Sequence, residues 1–296
     1  LAVVQAASLP TSPSSPKWLP VLALALALGL LGGLALAFVL ERFVPRLYTV
    51  AAIEQAASAE VVGAIPRVAG KLAESNLYNG GSAAQEAFGV LAVRLLAEAS
   101  SRDLRTILVT SRSKGDGKST VAANLAAELA RTGRSVVLVD ADMRAPRVNQ
   151  IFDIPVEPGL SNLLERRNGE DAPLLGEFIV YPDSVPDLGV IPAGPPPAAP
   201  ARLLAGNRLH NVVDELTQSH QFVIFDAPPL TVSDPLSIAS LADEVLLVIG
   251  GNAVPDRDIQ AATRHLSGIG AGNVSLVVNR WHANERYYTY GYPARA

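Results

Sequence analysis

The ten residues Ser111-Arg112-Ser113-Lys114-Gly115-Asp116-Gly117-Lys118-Ser119-Thr120 constrain this chain more than any other stretch. They follow an apolar run, Arg105–Thr110, and open a helical pattern in which Val121, Leu125 and Leu129 recur at four-residue spacing. A buried strand that passes through a glycine loop into a helix aims backbone N–H groups and the positive end of the helix dipole at one spot. Such a spot binds an anion. Gly115 and Gly117 let the backbone come close to phosphates, Lys118 places a cation on the β- and γ-oxygens, and the Ser119 hydroxyl can ligate Mg²⁺. The expected cradle for ATP and Mg²⁺ is therefore Ser113, Lys114, Gly115, Asp116, Gly117, Lys118, Ser119 and Thr120. Arg112 stands where such loops usually carry their first glycine.

From Leu104 onward, short β-rich runs alternate with helical patterns. The expected strands are Arg105–Thr110, Ser135–Val139, Leu188–Ile191, Phe222–Phe225, Glu244–Ile249 and Ser275–Asn279. Near-continuous apolar strands are covered on both faces, and intervening helices imply right-handed crossovers. The fold class is α/β, with a mostly parallel central sheet flanked by helices over residues 83–282. A helix is expected over Ala83–Ala99, after the breaker Asn79-Gly80-Gly81-Ser82. Residues 41–82 read as a juxtamembrane linker with a short helix from Val50 to Glu60. Residues 192–200 form a stiff Pro-rich loop.

Two further strands end on carboxylates. Val136-Val137-Leu138-Val139 runs into Asp140-Ala141-Asp142-Met143-Arg144, and Phe222-Val223-Ile224-Phe225 runs into Asp226-Ala227-Pro228-Pro229. The carboxyl ends of parallel strands are where open α/β sheets place ligands. Alternation puts Asp140 and Asp142 on one side, where one can coordinate Mg²⁺ through water and the other accept a proton. Asp226 fits the strand-ending aspartate that holds Mg²⁺ in nucleotide hydrolases. The chain has no cysteine, which excludes disulfides, thiolate metal sites and cysteine nucleophiles. A formal charge of −4 argues against nucleic acid as a partner.

Residues Trp18–Leu40 carry no charge. At about 1.5 Å per residue such a helix reaches roughly 34 Å, enough to cross a hydrocarbon core. Lys17 and Glu41 bracket the run, and Arg42 and Arg46 follow it, while residues 1–16 carry no Lys or Arg. That bias places the C-terminal side in the cytoplasm and the Pro- and Ser-rich residues 1–17 outside it. The chain opens on Leu1 and is expected to be part of something longer. At the other end, four of its seven tyrosines fall in the last ten residues: Tyr287, Tyr288, Tyr290 and Tyr292. A phosphate-binding machine ending in a tyrosine tail, residues 283–296, reads as a kinase that carries its own substrate.

In combination these motifs resemble the bacterial tyrosine kinases (BY-kinases) of capsule and exopolysaccharide export, P-loop NTPases with Walker A, Asp-x-Asp-x-Arg, Asp-x-Pro-Pro and a tyrosine cluster in that order. The resemblance covers residues 83–296. The apolar run with Leu9-Pro10 and Pro13–Pro16 before it is similar to the last membrane helix of chain-length determinant (polysaccharide co-polymerase) proteins. The resemblance implies an inner-membrane autokinase that transfers the γ-phosphate of ATP to Tyr287, Tyr288, Tyr290 and Tyr292 in trans. It makes Lys118 the phosphate clamp and Asp140 the base or activator for the tyrosine hydroxyl. Asp142 then joins Ser119 and Asp226 around the metal, and Asn279 contacts adenine. The partners it implies are a second copy of the chain, a polysaccharide polymerase, outer-membrane export components and a phosphotyrosine phosphatase. A membrane-anchored ATPase scaffold without kinase output is the alternative. The family's Glu-x-x-Arg-x-x-Arg helix is altered here: Glu86 is followed by Gly89 and Ala92, with Arg94 out of phase. Lys114 replaces a usual proline and is not at the position of the signature lysine of partition ATPases.

Overall fold

The computed structural model describes residues 17–43, 46–47, 50–68, 81–165, 175–251 and 254–281. The chain divides into two units, residues 1–45 and 46–296. In the first, helix α1 (Trp18–Phe43) contains the stretch Trp18–Leu36, of hydropathy 2.4 and with none of it buried. By length and composition it is long and apolar enough to cross a membrane.

The second unit begins with β1 (Arg46–Leu47), α2 (Val50–Ala57) and β2 (Val61–Pro66). Then come α3 (Ala83–Ser101), β3 (Thr106–Ser111), α4 (Lys118–Arg131) and β4 (Val136–Asp140). Short helices α5 (Val148–Phe152) and α6 (Leu160–Glu165) lead to β5 (Leu188–Ile191), α7 (Pro200–Leu204) and α8 (Asn207–Ser219). The chain continues through β6 (Phe222–Asp226), α9 (Asp234–Ala239), β7 (Glu244–Gly250), β8 (Val254–Pro255), α10 (Asp256–Gly268) and β9 (Asn273–Trp281). Among the described residues, seven strands form one sheet in the order β2-β9-β7-β3-β6-β4-β5, and every pairing in it is parallel. The six strands expected from the sequence all form, within two residues of their expected ends.

One expectation needs correcting. Residues 41–82 are not simply a linker, because their middle belongs to the sheet. Val61, Val62 and Ile65 of β2 are buried, and β2 runs parallel to β9 from Val61 opposite Leu276 to Ile65 opposite Asn279. Helix α2 packs on α10, burying Val50, Ile53 and Ala57. The domain therefore starts at Arg46 rather than Ala83. The strand was hard to read because Gly63 and Pro66 interrupt it as breakers do. Its partner also lies at the far end of the chain. The proposed extracytoplasmic segment and the tyrosine tail lie outside the described residues.

Alternation along the strands sorts the core into two layers. Ile107, Val109, Val136 and Leu138 pack under α3 and α4 with Phe88, Leu91, Leu95, Leu125 and Leu129. Leu108, Val137, Val139, Val223 and Phe225 face the opposite layer, with Leu209, Val212 and Leu216 of α8. Helix α3 is set by a reciprocal cap: Ser82 Oγ accepts from Gln85 N at 3.2 Å, and Gln85 Oε1 accepts from Gly81 N at 2.9 Å. Leu95 is fully buried under that helix. Leu95→Ala is expected to cost about 2–5 kcal/mol through lost burial and the cavity left behind. Chemical denaturation measures this, and a loss below about 1 kcal/mol would show that α3 is not part of the cooperative core.

Candidate active site

The loop joining β3 to α4 lies at the carboxyl edge of the central strand. Gly115 and Gly117 have φ of +93° and +94°, in the left-handed region where a Cβ is disfavoured. At Gly117 the space is closed as well, since a Cβ would lie 2.0 Å from Asn279 Nδ2. The loop folds on itself through Asp116 Oδ2, which accepts from Ser113 N at 2.9 Å, and through Ser111 Oγ, which donates to Ser113 O at 2.9 Å. Burial pushes the Asp116 carboxyl up, against the opposing pull of the Ser113 N–H and Arg112. The end of β7 braces the loop from behind: a Cβ on Gly250 would sit 2.7 Å from Asp116 Cα. Arg112, in the place of a glycine, has a side chain only 24% exposed and pairs with Asp258 of α10 at 3.3 Å. That partner on α10 supplies a counter-charge to the large side chain the loop carries there.

Four of the expected residues converge. Lys118 Nζ lies 2.7 Å from Asp142 Oδ2, 3.5 Å from Asp226 Oδ1 and 3.1 Å from Ser119 Oγ. The lysine is only 11% exposed. Burial alone would lower its pKa, but Asp226 and Asp142 more than offset this and hold it up. Asp226 is fully buried, and burial pushes its carboxyl up although Lys118 pulls it down. Its Oδ2 is buried with no hydrogen-bond partner. An orphaned carboxylate oxygen beside a hydroxyl and a lysine is a place a divalent cation fits. Among the described residues no three His, Cys, Asp or Glu side chains form a metal cage. Mg²⁺ does not require one, since it binds through one or two carboxylates plus phosphates and water. Ser119 and Asp226, with Asp142 beside them, are the residues that would hold it.

Two residues sit differently from expectation. Asp140, expected as the base, faces backbone: Oδ1 accepts from Asp142 N at 3.1 Å, and Oδ2 from Arg147 N and Val148 N at 3.2 and 3.1 Å. Burial and the neighbouring Asp226 push its carboxyl up to about 8. It shapes the turn that carries Asp142, whose Oδ2 is the oxygen presented to Lys118. Alternation alone could not show this, because β4 ends at Asp140 and the chain bends after it. Arg144 anchors the same turn with a two-pronged contact to buried Asp234, at 2.7 and 3.0 Å. Asn279, expected at adenine, is 5% exposed; its Nδ2 donates to Asp116 O at 2.9 Å and its Oδ1 accepts from Arg280 N at 2.9 Å. It braces the loop. Arg280, not among the residues expected at the site, donates from Nη1 to Gly115 O at 3.0 Å. Its only sequence signal is a polar pair, Asn279-Arg280, closing an apolar strand.

On the altered helix, Ala92 is buried, Glu86 is exposed, and Arg94 pairs with Glu60. The outer stripe of α3 is instead apolar, with Val90 67% and Val93 63% exposed.

A seven-stranded parallel sheet whose central strand opens into this loop defines a P-loop NTPase. The family model described as "NUBPL iron-transfer P-loop NTPase" matches residues 104–281, more than half of the chain. Tyrosine-protein kinase YwqD of Bacillus subtilis is 31% identical over 192 residues, covering 64% of this chain and 78% of that protein. EpsB of Ralstonia solanacearum is 30% identical over 312 residues, covering 99% of this chain and 40% of its own length. The crystal structure of the chimerical protein CapA2B2 superposes with a TM-score of 0.70 at 28% identity, covering 79% of this chain and all of that one. Within the P-loop NTPases, this chain belongs to the bacterial tyrosine-protein kinases.

Proposed function

We propose that this chain is the membrane-anchored autokinase of a polysaccharide export system, and that it phosphorylates the C-terminal tyrosines of a neighbouring copy. The convergence of Lys118, Ser119, Asp142 and Asp226 at the head of α4 carries this reading. Lys118 leaves its carboxylate partners for the β- and γ-phosphate oxygens, and the loop N–H groups hold the β-phosphate. A bound Mg²⁺ would neutralise charge on the β- and γ-oxygens. The tyrosine oxygen attacks the γ-phosphorus as its proton passes to Asp142. The new O–P bond forms, the bond to the β-phosphate oxygen breaks, and ADP leaves. Asp140 supports this by holding Asp142 in place.

The tail supplies Tyr287, Tyr288, Tyr290 and Tyr292 as acceptors, and polymerase, outer-membrane export components and a phosphotyrosine phosphatase complete the system. Helix α1 anchors the enzyme in the inner membrane, with the catalytic unit in the cytoplasm. A cytoplasm-only reporter fused after Ala296 is expected to be active, and activity of a periplasm-only reporter there would reverse the orientation.

Mass spectrometry after incubation with Mg-ATP tests the kinase reading. Phosphate is expected on the four tail tyrosines, and wild-type enzyme is expected to phosphorylate a Lys118→Met copy in a mixture. ATP hydrolysis with unmodified tyrosines would mean a scaffold ATPase instead. Asp142→Asn should lower phosphorylation at least tenfold beyond any effect on ADP binding. Retained transfer in that variant, with loss in Asp140→Asn at unchanged stability, would return the proton-accepting role to Asp140.

A further inference from the structure

The phosphate loop binds only while its N–H groups point inward, which requires its carbonyls to point out. Two consecutive carbonyls are held from outside. Asn279 Nδ2 donates to Asp116 O at 2.9 Å, and Arg280 Nη1 donates to Gly115 O at 3.0 Å. These two donors are neighbours in sequence, at the end of β9. In a regular strand adjacent side chains face opposite sides, so only one of them would reach the loop. Arg280 breaks that rule: its φ is +59°, in the left-handed region that a side chain as large as arginine rarely adopts. The reversal brings both side chains onto the same loop. The backbone around it is held on both sides, by Gly251 N donating to Asn279 O and Arg67 N donating to Trp281 O, each at 2.9 Å. The Arg280 guanidinium also forms one wall of a cavity of about 330 Å³ beside the loop, shared with Lys114 and Arg67.

We propose that Arg280 is a positioning residue for the phosphate loop. Its strained backbone places a guanidinium on the Gly115 carbonyl, so that the N–H array is formed before the nucleotide arrives. Strain that persists at a non-glycine position is a mark of such a role. Arg280 meets the loop at the Gly115 carbonyl, and it acts through Gly115. The proposal rests on reading Ser113–Thr120 as the nucleotide's loop.

Arg280→Gly separates this role from plain structural support. Glycine takes a positive φ without strain, so the variant should fold with an unchanged or raised unfolding midpoint. Removing a charged hydrogen-bond donor from the loop should raise the Kd for a fluorescent ADP analogue by about tenfold. KM for ATP should rise in step, while kcat at saturating ATP stays within about threefold. Arg280→Lys keeps a cation within reach of the carbonyl and should recover part of the affinity. Wild-type ADP affinity in the glycine variant, or affinity lost only alongside a lowered unfolding midpoint, would overturn the proposal. Lys118→Met is measured in parallel. If it too leaves ADP binding unchanged, the loop assignment falls and takes this inference with it. If Lys118→Met weakens binding and Arg280→Gly does not, the inference falls alone.

Discussion

Lys118→Met is expected to lower ATP turnover and tyrosine phosphorylation by two orders of magnitude or more. Among the described residues the ammonium is the cation paired with both Asp142 and Asp226, and it sits at the first residue of α4, where the helix dipole and loop N–H groups converge. Losing a charge stabiliser in a closed site typically costs about 3 kcal/mol or more in the barrier. Methionine keeps the length and apolar stem of the lysine, so packing is little changed. The native fold is nevertheless expected to weaken, because the substitution removes the lysine paired with buried Asp142 and Asp226. Turnover and circular dichroism on one preparation decide the matter. Near wild-type hydrolysis by a folded Lys118→Met protein would sink the assignment of this loop.

Asp226→Asn is expected to move stability and activity in opposite directions. Three buried carboxylates share one lysine here, and Asp226 Oδ2 has no partner. An amide removes a buried charge, which should stabilise the protein without Mg-nucleotide by about 1–2 kcal/mol. At this domain size that is a rise of about 3–6 °C in Tm. The same change removes the unpartnered oxygen proposed to take the metal, so turnover should fall at least a hundredfold and the Mg²⁺ requirement should rise. A pH signature accompanies it. Burial raises the carboxyls of Asp226 and Asp140, the latter to about 8. Between about 4 and that raised value, the native state keeps protons that the unfolded chain has released. Stability in EDTA should therefore fall as pH rises through that window, and Asp226→Asn should flatten the fall. Equal turnover in the variant, or lowered stability with EDTA at pH 8, would show that Asp226 is a structural partner of Lys118 rather than the metal's residue.

The start of helix α3 was readable from the breaker Asn79-Gly80-Gly81-Ser82, yet which of its residues face outward followed from packing. Ala92 is buried, so an arginine at that position in this chain would be directed into the core rather than toward a neighbour.

The sequence by itself determined the loop, the order of strands and helices, and the carboxylates that close β4 and β6. These features depend on local chemistry: glycines at positive φ, apolar runs of strand length, and charges at strand ends. Tertiary structure decided what each of those carboxylates faces. Asp140 and Asp142 are two residues apart, and only the turn after β4 assigns one to backbone N–H groups and the other to Lys118. It also decided that β2 belongs to the sheet, because parallel pairing with β9 links residues more than two hundred positions apart. The hold of Asn279 and Arg280 on the loop has the same origin. No local pattern records which carbonyl a side chain will meet once the ends of two distant strands come together.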